Sequence, residues 1–103
     1  MDKKYTEISL LTNFQEIYGD WADRTFPKST DKSRIGHIKL EVLELDENPD
    51  DPLEAADIVL LLLHHAHRHG YDLLTATREK FEIIKKRNWL PPNEDGICFH
   101  VKE

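Results

Sequence analysis

Six consecutive apolar residues, Ile58-Val59-Leu60-Leu61-Leu62-Leu63, directly follow an acidic one, Asp57, inside a segment that Asp51-Pro52 opens and Gly70 closes. Asp51 suits an N-cap, Pro52 suits the first helical position because its missing N–H costs nothing there, and Gly70 suits the residue just past a helix end. A helix that is apolar all round its middle predicts burial on every side. The segment therefore reads as the central helix of a bundle, ending near His69. The run is too short to span a bilayer. A carboxylate at its edge is expensive unless it has a partner, which makes Asp57 the most telling residue of the chain.

Three further helices follow from period and punctuation. Thr12-Asn13-Phe14-Gln15 has the form of a capping box, and Phe14, Ile17, Tyr18 and Trp21 fall at i, i+3, i+4 and i+7, giving a first helix with an aromatic face. Thr25 to Arg34 shows turn formers and no period, so a mobile crossover loop is expected. The second helix is expected from about Ile35 to Asp46, with Ile38, Val42 and Leu45 inward, stopping before Asn48-Pro49-Asp50-Asp51-Pro52. So short a connection makes the second and third helices antiparallel neighbours. The fourth starts after Asp72 with Leu73, Leu74, Thr77, Phe81 and Ile84 on one stripe, and ends before Leu90-Pro91-Pro92. An irregular tail is expected beyond, with Ile97 to Val101 as a short extended piece. The fold class is all-α, a four-helix bundle.

A chain of 103 residues holds one domain, so residues 1–103 are taken as a single unit, and its core is thin enough that association with further copies is expected. Lys plus Arg number 14 against 20 Asp plus Glu, a formal charge of −6, which argues against nucleic acid or an anionic membrane as the main partner. Cys98 is the only cysteine, and the start shows no leader-like apolar stretch, so a soluble protein of the reducing cytoplasm is expected.

Glu41 and Glu44 stand at i, i+3 on the second helix, and Glu54 and Asp57 repeat that spacing on the third. Across a short antiparallel connection the two pairs converge if both face the same seam. Four carboxylates brought together repel unless cations sit among them, and hard oxygen donors suit Mg²⁺ or Mn²⁺. Plainer roles stand beside this one: Glu54 fits the N3 place of a capping box after Asp51, and Glu41 and Glu44 fit solvated helix charges. His64, His65, His67 and His69 crowd the end of the third helix, and His65 and His69 have the spacing of a helical metal pair. Interaction with the helix dipole and its last carbonyls is the reading preferred for them over zinc. No Gly-rich phosphate loop or nucleophile elbow occurs, so a phosphate group would meet metal and side chains such as Lys80, Lys85, Lys86 and Arg87.

With Glu41-x-x-Glu44 and Glu54-x-x-Asp57 in place, the chain resembles the MazG-like all-α nucleoside triphosphate pyrophosphohydrolases from about Phe14 to His100, and most closely the compact dATP/dGTP diphosphohydrolase branch that includes the MazZ enzymes. The resembling pieces are Trp21 with Thr25-Phe26, His37-Ile38-Lys39-Leu40-Glu41, Glu54-Ala55-Ala56-Asp57, Arg68-x-Gly70, Lys80, Arg87-x-Trp89 and Asp95-Gly96 with His100. Departures stand at His64, Leu40 and Ile84, where the branch often has Asp, a basic residue and Asn. The resemblance implies hydrolysis of a purine (deoxy)nucleoside triphosphate, (d)GTP first, between the α- and β-phosphates. It implies Glu41, Glu44, Glu54 and Asp57 as ligands of Mg²⁺ or Mn²⁺, Lys80 and Arg87 against phosphate, and Asn13, Phe14 and Trp21 around the base. The competing expectation is a non-catalytic helical module docking a partner on its aromatic face.

Overall fold

A computed structural model describes residues 10–102. Four helices follow one another: α1 Leu10–Thr25, α2 Asp31–Glu47, α3 Pro52–His69 and α4 Leu73–Lys85. Among the described residues α3 packs against all three other helices, α1 also meets α4, and α2 packs on α3 alone. No helix among the described residues is long and apolar enough to cross a membrane.

The expected punctuation of α3 is what the structure shows. Asp51 accepts a hydrogen bond from the Leu53 amide at 2.9 Å, Pro52 opens the helix, and Gly70 closes it at φ +74° in the left-handed region. Asp72 caps α4 by accepting from the amide and hydroxyl of Thr75. Two boundaries differ. Thr12 lies inside α1, and its hydroxyl donates to Asp72 at 3.2 Å, so it supports the cap of α4 rather than capping its own helix. The second helix starts at Asp31, four residues before the expected Ile35, because Thr30 and Ser33 form a reciprocal capping box, with Thr30 Oγ1 accepting from the Ser33 amide and Ser33 Oγ accepting from the Thr30 amide.

Small residues let α1 approach α3 closely. Gln15, Gly19 and Ala22 form the buried stripe of α1, facing Leu63, Ala66 and the ring of His67 on α3. Gln15 locks the corner after α3, donating to the Tyr71 carbonyl at 2.8 Å and accepting from the Leu73 amide at 3.0 Å. Burial on every side of α3 is not found: Leu63 is fully buried, but Val59 and Leu62 are 43% and 37% exposed. With α2 on one side and α1 and α4 on others, a strip of α3 has no element over it among the described residues. Val42 and Phe81, expected inward, are also exposed; among the described residues α2 packs on one helix.

The tail is more ordered than expected. Residues 88–101 fold back on themselves through an antiparallel bridge between Trp89 and His100, with Leu90 N–H to Phe99 O and Val101 N–H to Asn88 O both at 2.8 Å. Asn93 Oδ1 accepts the amides of Asp95 and Ile97, and Gly96 takes φ +80°, which together close the turn.

A Cβ placed on Gly19 would stand 2.2 Å from Cγ of His67. Gly19→Ala is expected to cost about 1–3 kcal/mol by urea denaturation, and His67→Ala in the same chain should recover part of that loss. A Gly19→Ala protein as stable as the parent would contradict the close α1–α3 contact.

Candidate metal centre and adjoining cleft

The antiparallel pair α2–α3 is set by the turn between Glu47 and Pro52, where the Asn48 amide returns to the Glu44 and Leu45 carbonyls and the Asp51 amide bonds the Asn48 carbonyl at 3.1 Å. This register puts both acidic pairs on the shared seam. One carboxylate oxygen from each of Glu41, Glu44, Glu54 and Asp57 lies within 4.8 Å of the others. Glu41 and Glu54 are half-buried, and Glu44 and Asp57 are exposed. Oε2 of Glu41 and Oε2 of Glu54 are buried without a hydrogen-bond partner. A Glu54 oxygen lies within 4.8 Å of oxygens from Glu41 and Glu44 on α2, so Glu54 faces the seam and is not placed only by the start of its own helix.

Partial burial, then the charges of Glu44 and Asp57, raise the carboxyl of Glu41 above the usual carboxylate range, against the opposing hydrogen bond from His37 Nε2 at 3.0 Å. Partial burial and the Glu44 carboxylate raise Glu54 in the same way. Lone pairs with no donor, an all-oxygen set and mutual repulsion together fit a hard divalent cation held by these four side chains.

Beside the cluster opens a cleft of 630 Å³, with Glu41 and Asp57 at its rim and a wall drawn from α1, the 26–30 connection, α2 and α3. Tyr18 and Phe26 supply aromatic surface, Lys28 and Arg34 supply positive charge, and His37, His64, Ser29 and Ser33 supply further polar groups. Arg34 is 4% exposed, its guanidinium held by Ser29 Oγ at 2.9 Å and by Asp31. His64, 2% exposed, is fixed by Asp23 Oδ1 at 2.9 Å. Burial works to raise the Asp23 carboxyl, but hydrogen bonds from His64 and Arg68 and the charge of His67 outweigh it and hold Asp23 below the ordinary range. Burial, then the charge of Asp57, pushes the Tyr18 hydroxyl up, keeping it a neutral donor.

Of the residues singled out by sequence, the four carboxylates come together. Phe14 and Trp21 flank Tyr18 in an aromatic row, with ring centroids 6.2 and 5.8 Å from it, but neither lines the cleft, and Asn13 is exposed outside it. Lys80 lies on α4 and Arg87 just past its end, also outside the cleft wall. Sequence reading passed over Lys28, Ser29, Ser33 and Arg34 as loop. The Thr30-x-x-Ser33 pattern was the signal that this stretch enters a helix.

Because Glu54 is raised in the folded chain, its contribution favours folding when it is protonated and is lost as pH rises through its folded pKa. In the presence of a chelator, Glu54→Gln is expected to be more stable than the parent at pH 7, with the advantage shrinking toward pH 4. The groups held low, Asp23 and Asp72 among them, are common to both proteins and cancel in the comparison. Thermal melts of the two proteins across pH check this, and an advantage that grows on acidification would contradict it.

The sequence profile of the dATP/dGTP pyrophosphohydrolase family matches residues 14–103. A dATP/dGTP diphosphohydrolase of Salmonella phage PMBT28 is 37% identical over 100 residues, covering 96% of this chain and 34% of that protein, so the chain spans about a third of this relative's length. The dATP/dGTP diphosphohydrolase of cyanophage S-2L is 28% identical over 93 residues, 88% of each. The S-2L MazG-like pyrophosphohydrolase, solved with dGDP and three catalytic Mn²⁺ ions per active site, superposes with a TM-score of 0.79 over 91% of this chain and 99% of that one, at 28% identity. The matched profile takes in both acidic motifs and nearly all of the four-helix frame, and the chain belongs to the dATP/dGTP pyrophosphohydrolase family.

Proposed function

We propose that this chain hydrolyses a purine deoxynucleoside triphosphate, dGTP first, between the α- and β-phosphates, releasing the monophosphate and pyrophosphate. The observation that carries the reading is the convergence of Glu41, Glu44, Glu54 and Asp57, two of them with buried oxygens that no donor meets, at the rim of a cleft of nucleotide size. The relatives named above support the reaction, and the dGDP and Mn²⁺ of the S-2L enzyme support guanine and the choice of ion.

Glu41, Glu44, Glu54 and Asp57 hold the cations, Mn²⁺ or Mg²⁺. When bound, these neutralise the triphosphate and lower the pKa of a water near the α-phosphorus. His37 fixes the orientation of Glu41 through its 3.0 Å contact. A glutamate of the cluster accepts the proton of the attacking water, so no covalent nucleophile is needed. Lys28 and Arg34 bring positive charge to the phosphates from the cleft wall, a role assigned to them in place of Lys80 and Arg87, which stand outside it. Tyr18 and Phe26 offer faces on which a base stacks, with Phe14 and Trp21 buttressing the row behind them and Asn13 beyond reach of the wall.

The working form is proposed to be a homo-oligomer. Leu40 and Leu43 on α2 are each 61% exposed and Leu53 on α3 is 72% exposed, apolar surface that a second copy would cover, as it would the open strip at Val59 and Leu62.

Incubation with each dNTP and Mn²⁺ or Mg²⁺ should give dGMP and pyrophosphate from dGTP; a diphosphate plus orthophosphate, or no turnover, overturns the reading. Asp57→Asn should lower kcat at least about 100-fold with unchanged helical circular dichroism. Lys28→Ala should raise KM more than it lowers kcat, as steady-state kinetics would show.

A further inference from the structure

We propose that the start of α2 and the end of α3 form a second cation site, in which Asp31, His65 and His69 bind a borderline transition-metal ion, with Zn²⁺ the best fit. One ligand atom from each of the three lies within 4.8 Å of the others. Nε2 of His69 is 2.7 Å from Oδ1 of Asp31, and Nδ1 of His65 is 3.8 Å from the same oxygen. The two imidazoles stand one turn apart on α3 with ring centroids 4.5 Å from each other.

The donor chemistry separates this cluster from the carboxylate site. Two imidazole nitrogens and one carboxylate oxygen make the three-ligand set of open zinc centres, with a fourth position left for water. The other cluster is all oxygen and suits harder ions. Nδ1 of His65 accepts from Arg34 Nε at 3.4 Å and stands 3.8 Å from Asp31 Oδ1, so both acceptors sit on the same guanidinium with no hydrogen bond between them. Two acceptors that share one guanidinium are a place where a metal ion can substitute for that cation.

Arg34 is the competitor, since its Nη2 stands 2.5 Å from Asp31 Oδ1. An incoming ion takes that oxygen and the Nδ1 lone pair of His65 from Arg34, and the guanidinium keeps Ser29 Oγ. The site also lies at the far end of the helix pair from the 48–51 turn. Asp31 is ten residues before Glu41, about 15 Å along α2, so an ion there adds a tie at the end of the pair opposite the turn.

The full chain is stripped with a chelator and titrated with Zn²⁺, with metal analysis and thermal melting as readouts. The Asp57→Asn background is used to weaken the carboxylate site. In that background one equivalent of Zn²⁺ should bind and raise Tm by roughly 5 °C at saturation. Adding His69→Gln, or separately Asp31→Asn, should abolish both uptake and shift while circular dichroism stays unchanged; both residues are exposed, which protects the fold. No uptake in the Asp57→Asn protein, or a shift that survives both additional replacements, would overturn the proposal and leave Asp31, Arg34 and His69 as an ion-pair network.

Discussion

Repulsion among four carboxylates is the constraint on which the rest of this structure depends. Oxygens from Glu41, Glu44, Glu54 and Asp57 approach within 4.8 Å of one another, and partial burial of Glu41 and Glu54 removes the water that would screen them. A fold that brings such groups together carries a cost it does not recover until positive charge arrives. The bundle imposes the approach through features that have nothing to do with charge: the cap at Asp51, the proline after it, the tight turn from Glu47, and the small-residue contact that seats α1 on the other side of α3.

The parts legible in the sequence were those written in local chemistry. Asp51-Pro52 and Gly70 bound α3, and i, i+3 spacing put each acidic pair on one face, so a single assumption about antiparallel neighbours brought the two together. The start of α2 was missed because its capping box closes with Ser33 where the commoner form has Glu or Gln. The burial of α3 was overestimated because apolarity tells that a face needs covering and not which chain covers it.

The cleft wall was illegible for a different reason. Tyr18, Phe26, Arg34, His37 and His64 come from three helices and a connection, and their meeting is decided by helix packing rather than by spacing. Charge and the family resemblance picked out Lys80 and Arg87, which stand on α4 and just past its end, outside the cleft wall. The histidine cluster shows the same limit in reverse: His65 and His69 announce a pair by their spacing, but the carboxylate that converts a pair into a triad, Asp31, lies more than thirty residues away in a stretch that reads as loop.

Glu54 sits in the opening turn of α3, two residues after Pro52. Helix ends fray first, and here an unwound end would carry away a quarter of the acidic constellation with it. Asp51, which touches no reactant, thereby sets how long the constellation stays assembled: its bond to the Leu53 amide is a retaining pin. In the proposed metal centre, occupancy by cations and integrity of that first turn are thus two readings of one equilibrium, so tightening the pin would strengthen the grip on ions without altering a single proposed ligand.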